Sequence, residues 1–301
     1  MVDAPYRGGH LCDAHLRASV EERFRREMHR QLPGLGRGKV AVALSGGKDS
    51  SVALALSHAY FGRRPTVSVV AVSVDEGIAG YRTATLGAAA RLCDALGVEH
   101  VVVRAQEALG TTTDAVARRG AGSPPCSYCG VWRRQLLNRA ARDLGAVALV
   151  LGFNLDDLAQ TVLMNLVHGD LDRLVRMAPH RRRQPGLVPR VAPLAAVPER
   201  EVYLYARARG LPFDHGECPY AGRAQRNLFR RLVWELEEAQ PGTRQALLST
   251  HAQLVDRWLA ADDVGAPRRC RGCGEPSSGE LCRACTYLRL ARPVPAREVP
   301  A

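Results

Sequence analysis

Lysine and long apolar runs are nearly missing from this sequence. Of its 42 lysine and arginine residues only Lys39 and Lys48 are lysine. The longest apolar runs, such as Ala146 to Leu151, have the length of a strand, and a membrane-spanning helix needs about 20 apolar residues. The N-terminus is polar and basic, unlike a signal peptide. We therefore expect a cytoplasmic protein with no membrane partner.

The composition is that of a folded and strongly basic protein. A hydrophobic content of 46% in 301 residues is enough for a core, and the net charge is +12. Such a charge favours a polyanionic partner, of which nucleic acid is the simplest, although a generally solubilising surface is the alternative. Two local groups of arginine could contact a phosphate backbone, one at Arg181 to Arg183 and one at Arg223, Arg226, Arg230 and Arg231.

A glycine loop follows the apolar run Val40 to Ala43. From Leu44 to Ser51 the sequence reads LSGGKDSS. Two glycines let a backbone approach a ligand closely, and the N-terminus of a following helix attracts an anion. An ordinary turn is the alternative, but a chain that otherwise uses arginine retains lysine here, which indicates that a compact ammonium group is needed. The spacing is not that of the Walker loop. It resembles the SGGxDS pyrophosphate loop of enzymes that cleave ATP between its α and β phosphates.

Strand-like and helix-like segments alternate after residue 40. The expected strands cover residues 40–44, 66–74, 98–104 and 146–151, and the expected helices cover residues 50–60, 83–96, 133–144, 199–209 and 225–259, with another from 155. This alternation predicts an α/β fold with a doubly wound parallel sheet. Ser45, Val74 and Gly152 follow or end strands, so they can converge on one nucleotide. Cys93 falls on the apolar face of its helix and is expected in the core.

Nine cysteines in a cytoplasmic chain indicate metal or sulfur chemistry rather than disulfides. Cys270, Cys273, Cys282 and Cys285 form two CxxC pairs, which predicts a closed structural zinc site. Cys126 and Cys129 form a third pair, and a nearby helix N-terminus with Arg133 is expected to lower their thiol pKa values. A lone pair of this kind fits half a zinc site, a redox pair or two ligands of an iron-sulfur cluster, and its spacing does not choose among them.

Several further motifs lie in register with the glycine loop. They are DEGIxGYR at 75–82, DAVAR at 114–118, CxxCGVxRR at 126–134, GxNxDDxAxTVLMN at 152–165 and ECPYA at 217–221. With the C-terminal cysteines they resemble the cytosolic thiouridylase subunit 1 family, which are ATP-dependent tRNA 2-thiolation enzymes of the pyrophosphate-loop superfamily. The resemblance extends from about residue 11 to 292.

This resemblance implies a reaction and a set of site residues. Cys126, Cys129 and Cys218 would hold a 4Fe-4S cluster with one iron open to sulfide, and a persulfide or disulfide mechanism on the same cysteines is the alternative. The uridine C2 oxygen would attack the ATP α-phosphate, and sulfide would then displace AMP. Arg133 and Asp157 are further catalytic candidates, Asp157 being alternatively a helix cap, and Asp49 or Asp157 could hold Mg²⁺. The ATP-binding candidates are Ala43, Ser45, Gly46, Gly47, Lys48, Asp49, Ser50, Val74 and Gly152.

Three positions depart from the family pattern. Relatives begin with a zinc module of CxxC followed by CxxH, but here only Cys12 and His15 match, so we expect no zinc there. Phe153 stands where relatives commonly have histidine, and it cannot donate a hydrogen bond. Some relatives carry lysine in place of Arg133.

The organisation expected is an arm at 1–32, an ATP-binding catalytic domain at 33–259, a linker at 260–269, a zinc module at 270–292 and a tail at 293–301.

The motifs favour thiolation of tRNA at wobble uridine 34. The T-loop uridine 54, a small metabolite and a non-catalytic ATP- and RNA-binding role are the alternatives. The resemblance also suggests a ubiquitin-like thiocarboxylate protein as the sulfur donor, and a homodimer or heterodimer is a possible assembly.

Overall fold

The structure, a computed structural model, describes residues 2–120, 122–177, 184–259 and 267–291. Helices and strands alternate through most of this part of the chain. In chain order the elements are β1 (Val2–Ala4), β2 (Gly9–Leu11), α1 (Asp13–Gln31), β3 (Gly38–Ala43), α2 (Lys48–Phe61), β4 (Val67–Asp75), α3 (Tyr81–Leu96), β5 (Glu99–Arg104), α4 (Ala105–Leu109), α5 (Thr113–Arg119), α6 (Pro125–Asp143), β6 (Ala146–Val150), α7 (Leu155–Val167), α8 (Leu171–Val175), β7 (Arg190–Val191), α9 (Glu199–Ala208), α10 (Arg226–Ala239), α11 (Thr243–Leu259), β8 (Arg268–Arg269), β9 (Pro276–Ser277) and α12 (Arg283–Ala291).

A parallel sheet of five strands lies at the centre, in the order β5-β4-β3-β6-β7. The chain runs outward from β3 to β5 and then returns to β6 on the other side of β3. This reversal places a topological switch point at the carboxyl ends of β3 and β6, where doubly wound folds bind their ligands. The predicted fold class is confirmed, and its four predicted strands agree with β3 to β6 to within two residues at each end.

Helices cover both faces of the sheet. Val40 and Val42 of β3 pack in a cluster with residues of α1, α2 and α9, while Ala41 packs with residues of α6 on the opposite face. This alternation follows from the two-residue period of a strand. Cys93 is buried in the first cluster as expected, and burial raises its pKa to about 11.

Two helix boundaries were predicted wrongly. Helix α6 begins at Pro125 rather than Arg133, so the cysteine pair lies inside the helix and not in the preceding loop. Proline favours the first helical turn, where its missing N–H is not needed. The helix expected over 225–259 is two helices, α10 and α11, because Pro241 and Gly242 interrupt it.

Candidate functional site

The glycine loop lies at the switch point, between β3 and α2. The Ser50 hydroxyl donates to the carbonyl oxygen of Gly47 at 2.9 Å and accepts from the Ser45 N–H at 3.1 Å. The Ser45 hydroxyl lies 3.0 Å from that of Ser50. These bonds curl the loop over the start of α2, whose first N–H groups have no acceptor within the helix. The arrangement suits a phosphate group.

Gly46 is the residue of this loop that must be glycine. Its φ is +87°, and a Cβ atom there would lie 1.9 Å from the carbonyl oxygen of Thr85 in α3. The Gly46 carbonyl oxygen accepts from the N–H of Asp214 at 2.8 Å. The segment that leads to Cys218 is therefore bonded to the phosphate loop.

Lys48 has two carboxylate partners. Its ammonium group lies 2.9 Å from Asp49 and 2.7 Å from Glu199, the first residue of α9. Burial opposes the charged form, but the two carboxylates outweigh it and raise the pKa of Lys48. Glu199 was not predicted, because 151 residues separate it from Lys48 and no local pattern marks the contact. An incoming phosphate must compete with these carboxylates for the ammonium.

The loop after β6 contacts the glycine loop directly. A Cβ atom on Gly152 would lie 2.9 Å from the main chain of Asp49 and Ser50. Asn154 is buried, caps α7, and donates to the Asp49 carboxylate at 3.0 Å. The predicted residues Ser45 to Ser50 and Gly152 thus lie together. Between Gly152 and Asn154, the side chain of Phe153 is 42% exposed.

The other two ATP candidates are less open. Ala43 is the last residue of β3 and is half-buried. Val74 is buried, and its carbonyl oxygen already accepts from the guanidinium of Arg82.

Asp157 both caps a helix and faces the glycine loop. Its carboxylate lies 3.5 Å from the N–H of Asn154, in a capping box, and 3.2 Å from the guanidinium of Arg226. Burial and the negative charge of Asp49 raise the pKa of Asp157 to about 6, although Arg226 opposes the shift. A carboxyl with that pKa can exchange a proton near neutral pH. Arg226 was expected on a phosphate-binding surface, and it lies in this site instead.

Three cysteines converge beside the glycine loop. Cys126 and Cys129 occupy the first two turns of α6, and the thiol of Cys126 donates to the carbonyl oxygen of Tyr220 at 3.4 Å. Cys218 is close enough for its charge to affect the pKa of Cys126. Tyr220 in turn donates to Asp114 of α5 at 2.8 Å, which holds the segment carrying Cys218 over the helix.

These three thiols are free and are candidate ligands of an iron-sulfur cluster. Within the described ranges, only the four C-terminal cysteines bring three or more ligand atoms within 4.8 Å of one another. A mononuclear site needs its ligands that close, whereas an iron-sulfur cluster binds one thiolate at each of several iron corners. An iron-sulfur cluster is therefore compatible with the spacing of these three thiols.

For Cys126, the expected lowering of the thiol pKa was wrong. Burial raises the pKa of Cys126, and the neighbouring charges of Cys218 and Cys129 raise it further. Burial likewise raises the pKa of Cys218. The segment at 218–220 covers these thiols, so desolvation and mutual repulsion outweigh the field of the helix and of Arg133.

Glu76 links the cysteines to the glycine loop. It is buried, and its carboxylate lies 2.9 Å from Nε of Arg82 and 2.5 Å from Nε of Arg133. Arg133 donates to the sulfur of Cys129 at 3.0 Å, and Arg82 donates to the carbonyl oxygen of Ser45 at 3.1 Å. Glu76 and Arg82 occur in one motif of the sequence, but that motif did not reveal their roles.

The C-terminal cysteines form a compact four-sulfur group. The sulfur atoms of Cys270, Cys273, Cys282 and Cys285 all lie within 4.8 Å of one another. Burial of Cys270 opposes ionisation, but main-chain N–H groups donate to its sulfur, from Cys282 at 3.1 Å and Gly272 at 3.4 Å, and lower its pKa to about 6. Four converging thiols, one of them readily ionised, fit tetrahedral zinc in a closed site.

This module packs along α6, the helix that carries Cys126 and Cys129. The ring of Tyr287 in α12 lies 4.4 Å from that of Tyr128, and Trp132 donates to the carbonyl oxygen of Ala284 at 3.4 Å. Arg142 pairs with Glu275 through two bonds of 2.7 and 2.8 Å. One helix therefore connects the two cysteine groups.

The predicted basic groups and the N-terminal half-motif are only partly described. Arg230 and Arg231 are exposed on α10, and Arg181 to Arg183 lie outside the described residues. The thiol of Cys12 lies 3.3 Å from Nδ1 of His15 and is exposed. In the part of the chain that the structure covers, no third metal ligand joins that pair.

The sheet order and the phosphate loop at its switch point define an ATP-binding protein of the PP-loop class. The PP-loop domain family matches residues 19–237, so the chain belongs to that family. It is 38% identical over 307 residues to the tRNA 2-thiolation protein NcsA of Haloferax volcanii, covering 96% of this chain and 95% of the relative. It is 32% identical over 285 residues to the tRNA-5-methyluridine(54) 2-sulfurtransferase of Pyrococcus horikoshii, covering 95% and 89%.

A solved structure agrees with these relatives. The chain superimposes on the U34-tRNA thiolase NcsA of Methanococcus maripaludis, solved with its 4Fe-4S cluster, with a TM-score of 0.84 and 32% identity over 96% of this chain and 92% of that one. Within the PP-loop class, the chain therefore belongs to the tRNA 2-thiolation proteins. None of the helices described is long and apolar enough to cross a membrane.

Proposed function

We propose that this protein is an ATP-dependent tRNA uridine 2-thiolase. The proposal rests on a chain of hydrogen bonds and ion pairs that runs from Ser45 through Arg82, Glu76 and Arg133 to Cys129 and connects the phosphate loop with the cysteine-bearing helix. An enzyme that activates an oxygen with ATP and replaces it with sulfur needs these two sites together.

The glycine loop performs the activation. The uridine C2 oxygen attacks the α-phosphate of ATP, the bond to the bridging oxygen breaks, and pyrophosphate leaves. Ser45 to Ser50 bind the pyrophosphate through N–H groups and hydroxyls, and Lys48 exchanges its carboxylate partners for phosphate oxygens. The adenylated oxygen is then a good leaving group, and it departs in AMP when sulfide adds to C2.

The cysteines supply the sulfur side of the site. Cys126, Cys129 and Cys218 would hold the cluster, which when bound by three thiolates offers one iron with an open position for sulfide. Arg133 holds a positive charge against the Cys129 sulfur. A persulfide route would use the same three residues.

Two carboxylates complete the active site. Asp49 would contribute an oxygen ligand to the Mg²⁺ that accompanies ATP, with Asp157 as a second candidate. Asp157, with a pKa of about 6, would take up or release the proton exchanged at the uridine. Zinc would be held by the C-terminal four-cysteine module, which supports α6.

The favoured substrate position is wobble uridine 34. The DEGI motif at 75–78 and the four-cysteine module support it, and a thiolase of U34 superimposes on 96% of the chain. Uridine 54 is the second candidate, because a relative named for position 54 has similar identity over a similar length.

A ubiquitin-like thiocarboxylate protein as sulfur donor and a dimeric assembly belong to the same proposal. The cytoplasm, where thiols stay reduced, is the expected location.

The test is anaerobic purification followed by assay. Iron and sulfide content, ATP-dependent sulfur incorporation into unmodified tRNA, and mapping of the thiolated nucleotide are measured. We expect an iron-containing protein that thiolates tRNA and releases AMP and pyrophosphate. Cys218→Ala should abolish thiolation, whereas Cys93→Ala, at a buried cysteine outside the site, should retain it. Unmodified tRNA with an iron-free protein would refute the proposal, and thiolation at position 54 would correct the position.

A further inference from the structure

The local chain geometry forces Glu76 inward. It follows Asp75, the last residue of β4, whose side chain accepts from the N–H of Gly77 at 2.9 Å and closes a turn. Gly77 has a φ of +66°, and a Cβ atom there would lie 2.4 Å from the side chain of Thr112. The N–H of Thr113 donates to the carbonyl oxygen of Glu76 at 2.8 Å. The turn is thus pressed against the start of α5, and the Glu76 carboxylate is directed into the protein.

Buried carboxylates need charged partners, and Glu76 has two. Its side chain is only 5% exposed, and each oxygen lies close to one guanidinium, Oε2 near Arg82 and Oε1 near Arg133. Arg82 is itself buried, and its terminal nitrogens donate to the carbonyl oxygens of Ser45 in the phosphate loop and of Val74 at the end of β4. Arg133 has a different environment, because 46% of its side chain is exposed.

That exposure makes Arg133 dependent on Glu76. A half-exposed arginine has many rotamers, and ordering it costs conformational entropy. Here Nε binds the buried carboxylate while a terminal nitrogen donates to the Cys129 sulfur at 3.0 Å. The planar guanidinium makes both contacts at once, and lysine, with a single nitrogen, cannot reproduce that fork.

We propose that Glu76 is a positioning residue for the thiolation proposed above: it holds the Arg133 guanidinium against the sulfur of Cys129. The same carboxylate contacts Arg82, which donates to the phosphate loop. One buried side chain therefore connects the phosphate loop with the cysteine site. A cationic donor on a ligating thiolate stabilises the more reduced, more negative state of an iron-sulfur cluster and raises its reduction potential.

Two variants that conserve charge test this assignment. Glu76→Asp withdraws the carboxylate by one methylene, and Arg133→Lys keeps the positive charge without the fork. Reduction potentials of the reconstituted proteins are measured by redox titration followed by electron paramagnetic resonance. We expect both variants to shift the potential to more negative values, because Cys129 loses its donor. Glu201→Asp is the control, since it alters the buried Arg23–Glu201 pair away from the cysteines. It should leave the potential unchanged.

A second measurement uses the metal-free protein, so it tests the assignment of Glu76 even if the protein binds no cluster. In a nitrogen-15 spectrum of arginine Nε groups, the Arg133 resonance is assigned by its disappearance in Arg133→Lys. We expect it to be resolved in the wild type and in Glu201→Asp, and to merge with solvent-exposed arginines in Glu76→Asp. A wild type that is iron-free and leaves tRNA unmodified would refute the proposed function, and this spectrum would still test Glu76. An Arg133 resonance unchanged in Glu76→Asp, or a potential that moves only in Arg133→Lys, would overturn the assignment.

Discussion

Replacement of Asp157 by asparagine should stabilise the protein while it abolishes thiolation. Burial and the charge of Asp49 raise the pKa of Asp157 from 3.8 to about 6. The folded state therefore favours the protonated form, so the stability contributed by Asp157 is complete below about pH 4 and is lost as pH rises through 6. Asparagine resembles that protonated form at every pH, and it cannot exchange the proton that catalysis requires.

The size of the effect follows from the shift. A shift of two pKa units corresponds to about 3 kcal/mol. This value is an upper limit for the gain in stability at pH 8, because the side chain is 26% exposed and water lowers the cost of its charge. At pH 5, one unit below the pKa of about 6, the folded protein keeps Asp157 mostly protonated, so the last pKa unit of the shift does not yet contribute. The gain from Asp157→Asn should therefore be smaller at pH 5 than at pH 8 by about 1.4 kcal/mol. Urea unfolding followed by circular dichroism at both pH values measures the difference.

Asp172 provides the matched control. Like Asp157 it is a first-turn carboxylate beside an arginine, here Arg176 one turn later at 3.6 Å, but its side chain is 86% exposed. Asp172→Asn should therefore cost about 0.3 kcal/mol instead of stabilising. A loss of stability in Asp157→Asn at pH 8, or an equal gain at pH 5 and pH 8, would refute the reasoning that the buried charge is costly.

Three further results are expected. Gly46→Ala should unfold the loop or abolish ATP binding, because its Cβ would collide with the Thr85 carbonyl. Gly47→Ala is the control: its Cβ would meet nothing closer than 3.6 Å, so thermal unfolding should show unchanged stability of the free protein. Cys282→Ser should release zinc, detected by metal analysis, and lower the melting temperature, because α12 then loses its anchor on α6. Phe153→His should lower KM for ATP by about 2- to 10-fold without changing stability, since it restores a donor worth roughly 0.5–1.5 kcal/mol at an exposed position; an unchanged KM would show that this position does not contact the nucleotide.

Local signals in the sequence were enough to predict the sheet and the phosphate loop. The strands β3, β4 and β6 are apolar runs of the length that a sheet covered on both faces requires, and glycine or proline marks many of their boundaries. The loop after β3 is recognisable because a two-glycine turn needs particular residues at neighbouring positions. Pro125 is a local signal of the same kind, and α6 begins there rather than at the arginines that follow.

The rest of the site depends on long-range contacts that leave no local pattern. The pairing of Glu199 with Lys48 and the covering of Cys126 by Tyr220 arise only when distant segments meet. That covering also reverses the predicted direction of the thiol pKa shift, because a sequence shows the charges near a thiol along the chain but not the water removed from it.

The four-cysteine module packs where it can keep α6 from moving. A helix whose first turns present Cys126 and Cys129 must not rotate or slide, because one residue of slippage would turn a thiol away from its partners. The packing of Tyr128 and Trp132 against the module fixes the rotation, and the double bond of Arg142 with Glu275 fixes the far end. A metal ion held by the four thiolates would make this module a rigid support for the helix. Under the proposed function, one helix would then serve two cysteine groups with different roles: a closed group that holds the helix and an open group that takes part in the reaction.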